Sequence, residues 1–173
     1  METNFIGIRL KGTPVAIDRI PMTREGLEKL KEELDRLKRE VRPKVVMEIQ
    51  DARAHGDIAE NAEFHAAKEK QSFVEGRIQE LTGKISRAEV IDISKLTGNT
   101  VVFGAKVQIE EVETGEMFTY RIVGEDEADV DSGMISVASP MARALIGKEL
   151  DEQVMVKTPR GTKEFIIMDV SFD

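Results

Sequence analysis

Two carboxylates stand close together in a short polar stretch, Ala54-His55-Gly56-Asp57-Ile58-Ala59-Glu60-Asn61. Asp57 and Glu60 are three positions apart. If a helix begins there, both acids sit on its first turn, on neighbouring faces. One chemistry for such a pair is structural: Asp57 caps the helix and Glu60, at its third position, reaches back in a capping box. Acids in a first turn also suit the helix dipole. The other chemistry is divalent-cation binding. Mg²⁺ takes oxygen ligands and often uses only one or two protein carboxylates, with water and phosphate completing its octahedron. Two exposed acids hold such an ion weakly alone, but they can complete a site in a partner that brings its own acids and phosphates. Spacing leaves both readings open, and they are compatible.

Other groups near this stretch add little catalytic machinery. The chain has two histidines, His55 and His65, whose separation lacks the spacing of a helical zinc pair. It has no Cys, which excludes disulfides, thiolate nucleophiles and Cys-ligated metal sites. No Gly-rich phosphate loop or Ser-His-Asp arrangement is visible. Arg53 and Lys68 flank the acidic pair and read either as solvated charge or as contacts for phosphate.

The elements that must carry these residues are two long helices. Thr23 is an N-cap, with Met22 and Leu27 set as a hydrophobic staple across it. Leu27, Leu30, Leu34, Leu37 and Val41 follow at three-four spacing, the seam of a coiled coil. Val45, Ile49 and Ala52 continue it after an eleven-residue step that relaxes left-handed supercoiling. Pro43 falls inside this step and predicts a kink, not a break. A second helix is expected over residues 58–90, with the seam Phe64, Ala67, Gln71, Val74, Ile78, Leu81, Ile85 and Ala88. Only His55-Gly56-Asp57 separates the two, which forces an antiparallel hairpin about 45 Å long. Asp57 and Glu60 are then at its tip, far from any body.

The second half differs in kind. The chain of 173 residues carries 25 basic and 33 acidic residues, a net charge of −8. Residues 1–95 hold 18 of each sign, which leaves 7 basic and 15 acidic residues for 96–173, so the whole excess lies there. An acidic total argues against a simple duplex-binding protein. Apolar residues are 40% of the chain, enough for a packed core. No apolar run approaches the roughly 20 residues of a membrane span and no secretory leader is visible, so a cytoplasmic protein is expected. Helical periodicity stops near Ser94 to Asn99. Beyond it, residues 107–109 and 118–123 read as strands around the Thr114-Gly115 turn, and 135–138 as a third short strand. Ser139 and Pro140 begin a short helix that Gly147 ends. Residues 154–158 and 164–168 pair across Pro159-Arg160-Gly161-Thr162. The loop Glu125-Asp126-Glu127-Ala128-Asp129 lacks Ca²⁺-loop spacing and reads as a solvated loop or a docking face for a basic partner. The expected class is α+β: residues 1–19 an extension of no assigned role, 20–95 the hairpin, and 96–173 a small antiparallel β domain with one short helix.

These motifs resemble the GreA/GreB family of bacterial transcript cleavage factors. Ala52-Arg53, His55-Gly56-Asp57, and the run from Glu60 through Asn61-Ala62-Glu63-Phe64-His65-Ala66-Ala67-Lys68-Glu69 are similar to the family's tip. Tyr120-Arg121-Ile122-Val123-Gly124, Asp126 to Asp129, Ile135-Ser136-Val137, Ser139-Pro140 and Ala142 to Lys148 extend the resemblance in order to about residue 172. It implies an FKBP-like C-terminal domain docked on RNA polymerase at the rim of its secondary channel, with the hairpin inside the channel. It implies that Asp57 and Glu60 assist the polymerase active centre through a shared Mg²⁺, with no cofactor held tightly by this chain alone. It further implies that Arg53 and Lys68 meet the 3′ end of backtracked RNA, and that Asp126, Glu127, Asp129, Ser139 and Pro140 belong to the docking face. The chain is then not an enzyme itself but stimulates cleavage by the polymerase. A secondary-channel binder that inhibits polymerase is the alternative. An independent Mg²⁺ nuclease and a prolyl isomerase rest on weaker grounds. Lys68 stands where Arg is common in the family, which keeps the charge and loses the bidentate fork.

Overall fold

The computed structural model describes residues 19–55, 58–159 and 161–172, except for the side chains of residues 55, 58–61 and 95. A rod of helices projects from a β body, a mixed α+β architecture. The chain opens with β1 (Ile20–Met22) and enters α1 (Arg24–Arg36) at Thr23, whose side chain accepts the Gly26 N–H at 3.0 Å. Met22 is buried and Leu27 packs onto the same core, as the staple requires.

The expected irregularity before Pro43 takes the form of a π-helical turn, Leu37–Val41, in which the Arg42 N–H reaches back to the Leu37 carbonyl. One extra residue in the turn absorbs the eleven-residue step, so the seam stays on the inner face and the helix continues as α2 (Arg42–His55). The antiparallel partner is α3 (Ile58–Arg87), whose 30 residues span about 45 Å. Leu30, Leu37, Val45, Ile49, Ala67, Val74, Ile78 and Leu81 form the buried seam, with Leu34, Val41, Phe64 and Ile85 partly buried against it. Ion pairs lace the outside: Arg42 with Glu75, Lys70 with Glu48 at 2.7 Å, and Arg77 with Glu33 at 2.9 Å. The Arg77 guanidinium holds the Glu33 carboxyl below the usual carboxylate range.

The second helix ends three residues earlier than its periodicity suggests. Ala88–Val90 leaves the helix as β2 and pairs in parallel with β1, Ile20 opposite Ala88 and Met22 opposite Val90. The Ile91 N–H then donates to the Met22 carbonyl at 3.0 Å. This pairing clips the entry and exit of the rod together at its base.

The body is a five-stranded sheet in the order β5-β4-β3-β7-β6. Its strands are β3 (Lys106–Glu111), β4 (Met117–Val123), β5 (Met134–Ser136), β6 (Gln153–Thr158) and β7 (Gly161–Ser171). The sheet is not wholly antiparallel: β5 joins β4 in parallel, Ile122 opposite Ile135. The last hairpin is tighter than expected, with Thr158 paired to Gly161. The short helix α4 (Pro140–Leu145) packs against the sheet, capped by Ser139, whose hydroxyl accepts the Ala142 N–H at 3.2 Å. Val107, Ile109, Ile122, Leu145 and Ile167 are fully buried and form the centre of this core. Among the described residues no helix is long and apolar enough to cross a membrane.

Candidate functional site

The hairpin tip is the candidate site. Residues 56 and 57 lie outside the described residues, so Asp57 has no described position. Glu60 falls in the first turn of α3, and its side chain, like that of His55, also lies outside the description. In sequence, Asp57 falls between the end of α2 at His55 and the start of α3 at Ile58. The described helix ends on either side of it, His55 and Ile58, lie at the end of the rod away from the β1–β2 clip.

Next to the tip, two flanks of the hairpin carry opposite charge. On one, the Arg53 guanidinium lies over the Phe64 ring, 5.5 Å from its centroid. A cation over an aromatic face is favoured by the ring quadrupole and is worth about 0.5–1 kcal/mol at an exposed site. Lys68 follows Phe64 by four positions on α3 and is therefore on the same face of that helix. Its ammonium donates to Gln71 Oε1 at 2.7 Å and is otherwise exposed. Of the sequence-predicted bases, Arg53 is held by the Phe64 ring and Lys68 stands one turn beyond Phe64 on α3. Across the seam, Glu48, Asp51 and Glu63 line a shallow groove with Ala52, Ala66, Ala67 and Lys70. His65 stacks edge-on to Phe64 at 5.9 Å. Among the described residues no three His, Cys, Asp or Glu side chains group closely enough to hold a metal.

The residues expected to dock are divided by the structure. Asp129 accepts the Ser132 hydroxyl at 2.6 Å, which holds its carboxyl below the ordinary range, and bridges by backbone to Met134 at the start of β5. Ser139 and exposed Pro140 lie just beyond the other end of β5. These three flank β5, an edge strand of the sheet. Asp126 and Glu127 make direct contacts with the rod, and Asp129 lies within reach of the charge of Lys29 on α1. Asp126 and Glu127 belong to a 3-10 turn, Glu125–Glu127, that touches both helices at the rod's base. Asp126 pairs with Lys84 of α3 at 2.6 Å, and Lys84 also reaches Glu80 at 2.7 Å; the two acids hold its ammonium above the usual lysine range. Glu127 accepts the Thr23 N–H at 3.0 Å and also the Thr23 hydroxyl, at the start of α1.

The acidic loop is therefore not simply solvated. The sequence held one sign of this. Thr23 is an N-cap followed at the third helical position by Gly26, so the acid of a capping box is missing from α1 itself. Phe64 is a second residue whose part was not foreseen: as a seam position it is only half buried, and its open face takes Arg53.

Comparison with known proteins now adds to the geometry. Residues 20–90 match the family described as transcription elongation factor, N-terminal, and residues 96–172 match the one described as transcription elongation factor, GreA/GreB, C-term. The chain is 58% identical over 156 residues to transcription elongation factor GreA of Thermodesulfovibrio yellowstonii, covering 90% of this chain and 99% of that one. It is 60% identical over 153 residues to GreA of Legionella pneumophila, covering 88% and 96% of the two chains. It is 55% identical over 157 residues to GreA of Haemophilus influenzae, covering 90% and 99%. With both halves matched in order and the helical rod joined to the β body as described, the chain belongs to the GreA/GreB family of transcription elongation factors.

Proposed function

We propose that this elongation factor enters the secondary channel of bacterial RNA polymerase and stimulates the polymerase's own Mg²⁺-dependent cleavage of backtracked RNA. The observation that carries this reading is the rod. Its two helices reach about 45 Å, and its acidic motif is at the far end from the body. A globular core has no need of such a length; an active centre deep inside a partner does.

The body supplies docking through the edge strand that Asp129, Ser139 and Pro140 flank. The rod then brings Asp57 and Glu60 to the active centre. Two carboxylates one helical turn apart fit an Mg²⁺ shared with the acids of the polymerase and not one held by this chain alone. When bound there, such an ion would supply charge neutralisation at the scissile phosphate and an activated water. The chain's own share is to orient: Asp57 and Glu60 accept hydrogen bonds from water and fix its direction of approach. Arg53 and Lys68 hold the extruded 3′ segment by its phosphates, while the acidic flank across the seam repels it. Chemistry is done by the polymerase, and the factor works in a cytoplasmic setting where that enzyme is found.

The test is a cleavage assay on purified polymerase complexes backtracked so that the RNA 3′ end is extruded. Added factor is expected to release a short 3′ fragment and restore extension. The same RNA without polymerase stays intact. Slower elongation without any fragment would instead mark an inhibitor, and cleavage of naked RNA would mark an independent nuclease.

A further inference from the structure

The contact between Glu127 and Thr23 has the chemistry of a capping box completed from the other domain. In a capping box the N-cap hydroxyl accepts the N–H of the third helical residue, and the acid at that third position accepts the N-cap N–H. Here the Thr23 hydroxyl does accept the Gly26 N–H, at 3.0 Å. The acid, however, is absent from position 26. Glu127, 104 residues away, takes the Thr23 N–H at 3.0 Å and the Thr23 hydroxyl proton. The same carboxylate accepts the Gly124 N–H at 3.2 Å and so caps its own 3-10 turn. Gly26 is what makes room: a methyl group there would overlap the Glu127 carboxylate. A negative charge at the start of α1 also suits the helix dipole. On the neighbouring residue, Asp126 holds Lys84 of α3 at 2.6 Å. One short turn of the body thus grips both helices of the rod.

Geometry makes this grip matter. With a lever of about 45 Å, a swing of about 10° at the base moves the tip by roughly 8 Å. A misplacement of about 1 Å can already cost a hundredfold in rate where catalytic groups must be aligned. We propose that Glu127 is a positioning residue: by completing the Thr23 cap across the domain boundary it sets the angle at which the rod leaves the body, and so the place where the tip arrives once the body has docked. This rests on the delivery reading given above, but the grip itself can be measured apart from it.

The experiment compares wild type with Glu127→Ala, Glu127→Gln and Gly26→Ala. Gly26→Ala keeps every charge and wedges the contact open, so it separates geometry from electrostatics. The chain has no Cys, so spin labels placed by Glu69→Cys and Glu113→Cys report the rod-to-body distance without background. Glu127→Ala and Gly26→Ala are expected to shift or broaden that distance by about 4 Å. They are expected to lower the maximal cleavage rate on backtracked complexes at least about tenfold, with the half-saturating concentration unchanged. Glu127→Gln keeps the length and an acceptor oxygen and is expected to restore most of the rate. Helical circular dichroism on the same samples shows whether the rod remains folded. Unchanged distances in both Glu127→Ala and Gly26→Ala overturn the assignment. So does a weakened half-saturation with unchanged distances, which makes Glu127 a polymerase contact. If wild type stimulates no cleavage, the delivery reading fails, while the label distances still decide the grip.

Discussion

The Arg53 guanidinium rests on the Phe64 ring, 5.5 Å from its centroid, and so joins the two helices close to the tip. The contact does two things at once. It covers the open face of a seam residue that is only half buried, and it fixes the direction in which the guanidinium is presented. An arginine held this way loses less side-chain freedom when it meets a phosphate.

If Arg53 meets the RNA as proposed, replacing Phe64 by Ala is expected to act on that contact through Arg53. The expected result is a two- to fivefold weaker stimulation of cleavage, about the worth of an exposed cation–π contact. Arg53→Ala is expected to do at least as much, and combining it with Phe64→Ala adds little further. Lys68→Ala weakens stimulation independently. Titration of cleavage against salt checks the assignment: removing either base makes the salt dependence shallower, by about 0.7 in the log–log slope for each single-strand phosphate that the factor no longer neutralises.

Leu81 is fully buried at the base of the rod, in the core that includes Met22 and Leu30. Leu81→Ala removes three carbons there and is expected to cost about 2–5 kcal/mol. Helical circular dichroism during urea unfolding measures this. The body has its own buried cluster, centred on Ile109 and Ile167, so its strand signal is expected to change less.

Acid should loosen the rod. Glu33 has its carboxyl held below its ordinary value of 4.5, chiefly by the hydrogen bond from Arg77. A depressed carboxyl contributes stability that is complete above the unfolded value and is lost as pH falls through the folded one. Glu80 is lowered in the same direction by Lys84 and Arg77. At the alkaline end Lys84 is held above its ordinary value of 10.5 by Asp126 and Glu80, so its contribution is complete below about 10.5 and is lost as pH rises from there through the raised value. The midpoint of helical melting is accordingly flat between about pH 6 and 9 and falls below about pH 4.5. Arg77→Met should remove most of the acid-side slope that Glu33 contributes.

What could be read in the sequence was local or periodic. The seam positions from Leu30 to Leu81 follow from three-four spacing, and the Thr23 and Ser139 caps follow from residue type beside a helical pattern. The eleven-residue step correctly marked an irregularity near Pro43, though periodicity alone does not tell a kink from the π turn found at Leu37–Val41. What could not be read depends on distant partners. Ala88–Val90 continues the helical pattern, and only pairing with Ile20–Met22 draws it out as a strand. The short strand at Met134–Ser136 gives no sign that its neighbour runs parallel. Asp126 and Glu127 look like any acidic loop until Lys84 and Thr23 are seen beside them. At the tip the motif carried more than the fold did: Asp57 lies outside the described residues, and its part is assigned from the sequence.

The central claim is that the tip acids act at the active centre of the polymerase. The most direct measurement is the rate at which backtracked complexes cleave their RNA with wild type and with Asp57→Asn combined with Glu60→Gln. The substitutions remove charge and keep shape, so the rod and the docking edge remain intact. The account predicts that stimulation drops on the order of a hundredfold while binding to polymerase is unchanged. Full stimulation by the double variant would contradict it.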